Sequence, residues 1–319
     1  MTATPWDWQP GAPRRREQAA SLIRLDGPDT RRFLHGQTSA AIETQPPGSW
    51  IPTCCITATG RLRALAEVLV DDDGAWLLLT SGDAAGVWQA LDRVLFPADQ
   101  VQLGPLLPAL LVAPVGDATA GLPESPEGRW LALENGSGWL LGSRLVLRPD
   151  AALPLWLADR PALANPEQER WRIQQGVPAA PGEINEDTNP FEVGLADRVS
   201  LSKGCYVGQE TLAKLATYDG VKRQLRRWQW QAPAGHSPVS GPPSTLFSPG
   251  DGDASSRRAG QITSSLHLGD GLWIGLALVR RQALDQAELA AGDGPQAPSL
   301  QLSRPPAFVD PPVGAGRQP

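Results

Sequence analysis

The stretch LSKGCYVGQE, residues 201–210, gathers the side chains of this chain best able to do chemistry. Cys205 is one of only three cysteines. Lys203 stands two residues before it, Gly204 and Gly208 flank it, and Tyr206, Gln209 and Glu210 follow. A thiolate is a nucleophile and a soft metal ligand. It is favoured at a helix N-terminus and beside a cation. The run YVGQETLAKLA has helical character, which puts Cys205 at a helix start with Lys203 as activator of its thiol. Glycines at 204 and 208 let a ligand or another backbone come close. The same spacing suits a plainer reading, because cysteine is among the most buried residue types and often simply fills space. Glu210 and Lys214 are spaced to pair along one helix face, as helix support or as part of a site.

A cysteine hydrolase needs a base, and the histidines are His35, His236 and His267. Of these only His267, near Asp270, forms a pair worth naming. No CxxC occurs, and three thiols are too few for a four-thiolate zinc or iron–sulfur site, so no metal is expected. Cys54 and Cys55 fall in an alternating strand, one pointing in and one out, and read as core. Lys222, Arg223, Arg226 and Arg227 form a basic cluster beside Trp228 and Trp230. It suits an RNA backbone or an anionic tail. It equally suits a solvated strand edge, where cations discourage pairing.

The elements that must position these residues read as follows. Ser21–Leu25 is a strand and 28–36 a helix carrying His35 at its boundary. Residues 50–70 form a hairpin turning at Thr59–Gly60, in whose second arm Leu62, Ala64, Ala66 and Val68 alternate with Arg61, Arg63, Leu65 and Glu67 in a two-residue period. Residues 76–81 are a strand, 83–96 a helix capped by Asp83, and 106–115, 130–133 and 139–147 further strands. Residues 164–176 are a helix with Asn165 as cap and Gly176 as stop. The connection 177–195 is long and turn-rich, as functional loops are, and DRVSLSKGC, 197–205, reads as extended. From Val221 the strands of an all-β module follow.

The chain has 319 residues, 41% hydrophobic and 19% charged, enough for two or three folded domains. Its net charge of −6 argues against a surface that grips nucleic acid throughout. The longest apolar run, LLPALLVAPV at 106–115, is too short to span a bilayer. A cytoplasmic location without a membrane partner is expected. The organisation expected is a flexible leader at 1–17, an α+β region at 18–218, a β-barrel at 219–304 with a mobile loop at 232–259, and a disordered tail at 305–319.

KGCYVGQE followed by GVKRQL resembles the signature of the YgfZ family, the folate-binding, CAF17-like iron–sulfur cluster assembly factors. The family form K-G-C-Y-x-G-Q-E is matched at every fixed position from Lys203 to Glu210. FLHGQTSA (33–40), TATGRLRA (57–64), RIQQGVPAAPGEI (172–184), AGQITSS and GLALVRR resemble further family segments, so the likeness covers about 18–285. The family is related to the T-protein of glycine cleavage, an aminomethyltransferase. The resemblance implies an α+β, T-protein-like ring of three domains, two interleaved α+β units and a C-terminal β-barrel, around a pocket for tetrahydrofolate or a folate derivative. Arg172, Gln174 and Gly176 correspond to the T-protein's R-x-E-x-G helix and would contact the folate. Gln174 stands where the T-protein has a glutamate, so the pterin would meet an amide without charge. The implied role is support of iron–sulfur cluster assembly or repair in client enzymes, including radical enzymes that modify tRNA. Cys205 would lie near the pocket and take part in transfer, redox protection or cluster contact. Two alternatives stand beside it. One is a folate-dependent aminomethyl or one-carbon transferase. The other is a tRNA-binding module using Lys222, Arg223, Arg226 and Arg227.

Overall fold

The computed structural model describes residues 4–116, 121–233, 241–248, 257–294 and 296–314. The first half holds β1 (Arg14–Asp26), α1 (Thr30–Gln37), β2 (Trp50–Ile56), β3 (Leu62–Val70), β4 (Gly74–Gly82), α2 (Ala84–Val94), β5 (Gln102–Val115), β6 (Trp130–Ala132), β7 (Gly138–Leu141) and β8 (Arg144–Leu147). Their eight-stranded sheet runs in the order β2-β3-β4-β1-β5-β8-β7-β6, so the first strand lies in the middle. Its two ends curl round to meet. Ser49 bridges Arg129, and the Trp50 amide donates to the Gly128 carbonyl at 2.8 Å.

Helices bury one face of the sheet, and the curl buries the other. On one, Phe33 and Leu34 of α1 and Val87 and Leu91 of α2 cover Ala64, Ala66, Val68, Leu77 and Leu79. On the other, Trp139, Leu141 and Val146 fold over Leu22, Leu69 and Leu78. Strand β3 therefore departs from the expected alternation, and Leu65 and Glu67 are buried too. Cys54 and Cys55 do point to opposite faces, and both are core. Glu67 is 2% exposed. Arg144 grips both its carboxylate oxygens, at 3.0 and 2.9 Å, and the Trp50 indole donates at 2.6 Å.

The chain continues through α3 (Leu155–Ala158), α4 (Asn165–Gln175), the connection, and α5 (Gln209–Thr217). In α4 the Glu167 carboxylate, not Asn165, satisfies the helix start, accepting the Ala164 amide at 2.9 Å. Six strands then close a barrel: β9 (Arg223–Gln231), β10 (Thr245–Ser248), β11 (Arg257–Gly269), β12 (Leu272–Arg280), β13 (Glu288–Ala291) and β14 (Ser299–Ser303). Gly275 lets the fully buried Trp228 lie flat inside, since a Cβ there would come 2.5 Å from the indole.

The described parts of two segments expected to lack order are packed. In the leader, Pro5–Asp7 forms a 3-10 turn, Trp6 packs on the core where Ile173 of α4, Leu212 of α5 and Leu225 of the barrel meet, and β1 already begins at Arg14. After the barrel, Phe308 is 5% exposed within that same core and Val309 bridges Leu195. The apolar side chains of these segments give each a place to bury. Of the loop expected to be mobile, 245–248 and 257–259 belong to barrel strands, whereas 234–240 and 249–256, His236 included, lie outside the described residues, as do 315–319.

Burial pushes the Glu67 carboxyl up, and Arg144 outweighs it, leaving the group below its ordinary value. The stability it contributes is present above the unfolded carboxylate range and lost as pH falls through the folded pKa. Arg144→Ala is expected to cost about 3–5 kcal/mol near neutral pH, read from denaturant midpoints. The gap to wild type should narrow as the medium is acidified.

Candidate functional site

The candidate functional side chains gather in two places, the 200–210 loop and a groove along α4. After a 3-10 turn at Ala196–Arg198 the chain bends rather than extends, so the extended segment expected over 197–205 does not form. The bends deliver Lys203 to the end of α1. Its Nζ donates to the carbonyls of His35 (2.5 Å), Thr38 (2.6 Å) and Ala40 (2.6 Å). Carbonyls at a helix end lack partners of their own. The Tyr206 ring lies 4.3 Å from the same Nζ. Gln209 Nε2 closes the loop on the Lys203 carbonyl at 3.1 Å, and the Val207 amide donates to the Gly36 carbonyl at 3.0 Å. Gly208 has φ +79°, and a Cβ there would stand 2.6 Å from the Thr57 carbonyl oxygen. Four motif residues thus pin the loop. Gly204 does not, for nothing lies within 4 Å of where its Cβ would be.

Cys205 is exposed, so the space-filling reading fails. Burial pushes the Cys54 and Cys55 thiols up to about 11 and about 12, which leaves Cys205 as the accessible thiol. Lys203 is not aimed at it as an activator, because its N–H groups go to the three carbonyls. Burial draws the Lys203 amine down to about 7. The carbonyls act the other way, since each takes an N–H and only the ammonium form has three to give. Helix α5 begins at Gln209, four positions beyond the thiol. Glu210 and Lys214 pair at 2.6 Å on its exposed face. No histidine serves Cys205 among the described residues: His35 Nδ1 accepts the amides of Ile42 and Glu43, and His267 stacks on Trp273.

The groove consists of two adjoining cavities of about 430 and 520 Å³ that share Glu169, Arg172, Ala179 and Ala180. Strands β1 and β4, α4, the start of the connection, and β11 wall it. Arg172 is fully engaged there. It makes a two-pronged pair with Glu169 at 2.8 and 2.6 Å, and reaches Glu183 at 3.1 Å and Ser264 at 2.7 Å. Gln174 lies off the groove, 5% exposed, with Nε2 on the Trp8 carbonyl at 3.1 Å and Oε1 buried without a partner. Gly176, at φ +72°, admits Pro305, whose Cβ would be 2.1 Å from a Cβ at 176. The three residues expected at one ligand thus serve different contacts.

Sequence reasoning missed Arg16 and Thr263. Arg16 lines the larger cavity, stacks 4.4 Å over Trp171, and holds a buried Nε without a hydrogen-bond partner. Burial, then Arg144, draws its pKa down to about 10. Thr263 Oγ1, on the smaller cavity, is also buried without a partner. The available signal was the RRR run at 14–16, in which alternate side chains of a strand face opposite ways.

The basic cluster divides. Strand β9 lies between β12 and β14, so it is no edge. Arg226 lies over Phe308, and Arg227 lies over Trp6 and donates to the Gln174 carbonyl at 2.8 Å. Lys222 and Arg223 instead line a separate cavity of about 640 Å³.

No family model matches the chain. Among curated proteins it is similar to a candidate chloroplastic transferase of Arabidopsis thaliana, 29% identical over 286 residues, 82% of this chain and 63% of that protein. It thus spans less than two thirds of that relative's length. It is 27% identical over 278 residues to the tRNA-modifying protein YgfZ of Serratia proteamaculans, covering 81% of this chain and 82% of that one. It is 26% identical over 290 residues to the mitochondrial iron–sulfur cluster assembly factor IBA57 of Mus musculus, covering 83% and 76%. The crystal structure of the glycine cleavage system aminomethyltransferase T of Bartonella henselae superposes with a TM-score of 0.72 at 18% identity, over 94% of this chain and 88% of that one. This fixes the α+β, T-protein-like fold with its C-terminal barrel. No helix among the described residues is long and apolar enough to cross a membrane.

Lys203→Met keeps the stem and removes the three N–H groups. It is expected to cost about 2–3 kcal/mol and to speed amide exchange at Val207 and Thr38 while Cys205 stays exposed.

Proposed function

From a chain that belongs to the YgfZ and CAF17-like family, related to the glycine-cleavage T-protein, we propose a protein that binds a folate and supports iron–sulfur cluster assembly or repair in client enzymes. The observation that carries this reading is one exposed thiol on a loop that four other motif residues hold in place. The fold keeps its other two cysteines buried. A single thiolate cannot hold a cluster, so thiolates of a client or an assembly partner complete the contact. Gly204, open on the side of its missing Cβ, leaves room for that partner beside Cys205.

The α4 groove suits the anionic end of a folate. A carboxylate there meets Arg16, whose buried Nε has a donor to give. Thr263 Oγ1 offers a second unpartnered polar atom. Arg172 shapes the wall and keeps Glu183 neutralised rather than facing the ligand. Gln174 would reach a pterin only by releasing the Trp8 carbonyl. Bound tetrahydrofolate would supply one-carbon carrying capacity. The protein's own part is to hold the tail at Arg16 and to present Cys205.

Calorimetric titration with tetrahydrofolate tests the ligand. Wild type should bind, and Arg16→Ala should weaken binding about tenfold or more, whereas Gln174→Ala should change it little. A loss confined to Gln174→Ala would move the ligand under the N-terminal segment, and no binding by wild type would remove the folate. For the thiol, iron and sulfide content of iron–sulfur enzymes is compared between cells carrying wild type and Cys205→Ser. The content should drop with the variant, and equal content would end the thiol's role.

A further inference from the structure

We propose that the cavity ringed by Arg61, Lys222, Arg223, Arg280 and Arg281 binds a small ligand carrying two or more linked phosphate groups. At about 640 Å³ it falls in the size range of small-molecule sites. It shares no lining residue with the α4 groove, and nothing in this inference rests on the folate reading. Its walls come from both halves of the chain. Arg61 follows the β2–β3 turn, Glu192 lies on the connection, 219–223 lead into β9, and 280–282 end β12.

Five cations line the cavity against two carboxylates, Glu192 and Asp219, which leaves three formal positive charges unmatched. Both carboxylates are already taken. Glu192, 4% exposed, receives Arg223 on both oxygens at 2.9 and 3.0 Å. Asp219 receives Arg281. Arg61 gives one N–H to the Asp187 carbonyl at 3.0 Å and stands 3.9 Å from Glu192. Lys222 and Arg280 make no ion pair and no side-chain hydrogen bond among the described residues.

The strand register sharpens the point. Arg280 of β12 pairs directly with Arg223 of β9, and the Arg281 amide donates to the Lys222 carbonyl at 2.9 Å. Like charges placed opposite each other on paired strands are destabilising. A polyvalent anion in the hollow between them removes that repulsion. Arginine forks and a lysine point charge are the groups that recognise phosphate oxygens. A compact ligand fits better than a nucleic-acid strand. The next cations along β9, Arg226 and Arg227, are turned onto Phe308 and Trp6, so no basic track continues from the cavity along that strand. The two carboxylates in its wall would also repel a continuous run of phosphates.

The test is calorimetry of the full chain with sodium pyrophosphate in low-salt buffer. Wild type should bind one pyrophosphate per chain, and inorganic phosphate at least about tenfold more weakly. Lys222→Ala and Arg280→Ala should each weaken pyrophosphate about tenfold or more, and the double variant should abolish it. Both side chains are exposed and unpaired, so ligand-free melting should not fall, and Arg280→Ala, which relieves the repulsion with Arg223, should raise it slightly if it moves at all. Lys222→Gln and Arg280→Gln serve as milder replacements should either alanine variant fail to fold. Arg16→Ala should bind pyrophosphate as wild type does. No heat at millimolar pyrophosphate would overturn the proposal, as would unchanged binding by the double variant. So would a short single-stranded oligoribonucleotide that binds more tightly than pyrophosphate and is lost in the same variants, which would assign the cavity to RNA.

Discussion

A loop buried between two folded bodies must satisfy its own backbone, because an unpaired N–H or C=O away from water costs as much as a lost hydrogen bond. The connection over residues 183–195 meets that demand with its own side chains. Asn189 Oδ1 accepts the amides of Phe191 and Glu192 at 3.1 and 3.2 Å. Glu192 returns a carboxylate oxygen to the Asn189 amide at 3.2 Å, and Thr188 Oγ1 donates to the Glu183 carbonyl at 2.7 Å. What remains is offered outward. The Thr188 carbonyl takes the Leu62 amide of the sheet, and the Glu192 carbonyl takes the Leu225 amide of the barrel, both at 2.8 Å. Ile184, Phe191, Val193 and Leu195 then fill the core shared by sheet, helices and barrel.

Both cavities inherit their shape from this segment. Glu183 holds Arg172 of α4, and Glu192 holds Arg223 of β9, each carboxylate almost wholly buried. Pairs of this kind contribute less to net stability than to fixing which neighbour sits where. Each clamps one arginine into a wall. The connection is therefore a positioning device for two separate pockets, although it forms no helix or strand.

Local order was readable from sequence, and long-range use was not. The α4 boundaries followed from glycine, proline and charge placement within a few residues. The role of Lys203 did not, because its three acceptors lie in residues 35–40 and only the folded chain brings them near. The burial of Glu67 was hidden for a similar reason. A two-residue period shows which residues share a face, but not that a curling sheet will cover the second face as well. Arg226 and Arg227 looked like a solvated edge because their partners, Phe308 and Trp6, sit in the two terminal segments that composition marked as loose. Those segments are short and largely irregular, and they are held by a few isolated aromatics, Trp6, Trp8 and Phe308, that carry no periodic signal.

The chain leaves the barrel after Ser303 and does not drift into solvent. Phe308 seats against Gly194, where a Cβ would come 2.5 Å from its ring, and Val309 bridges Leu195. The barrel is thus slung between two moorings, one at Val221 on its entering side and one at Phe308 on its departing side, both sunk in the same core. A module slung in this way has no single hinge. It cannot swing open like a lid, and traffic to either cavity must pass through the mouths the fold already has.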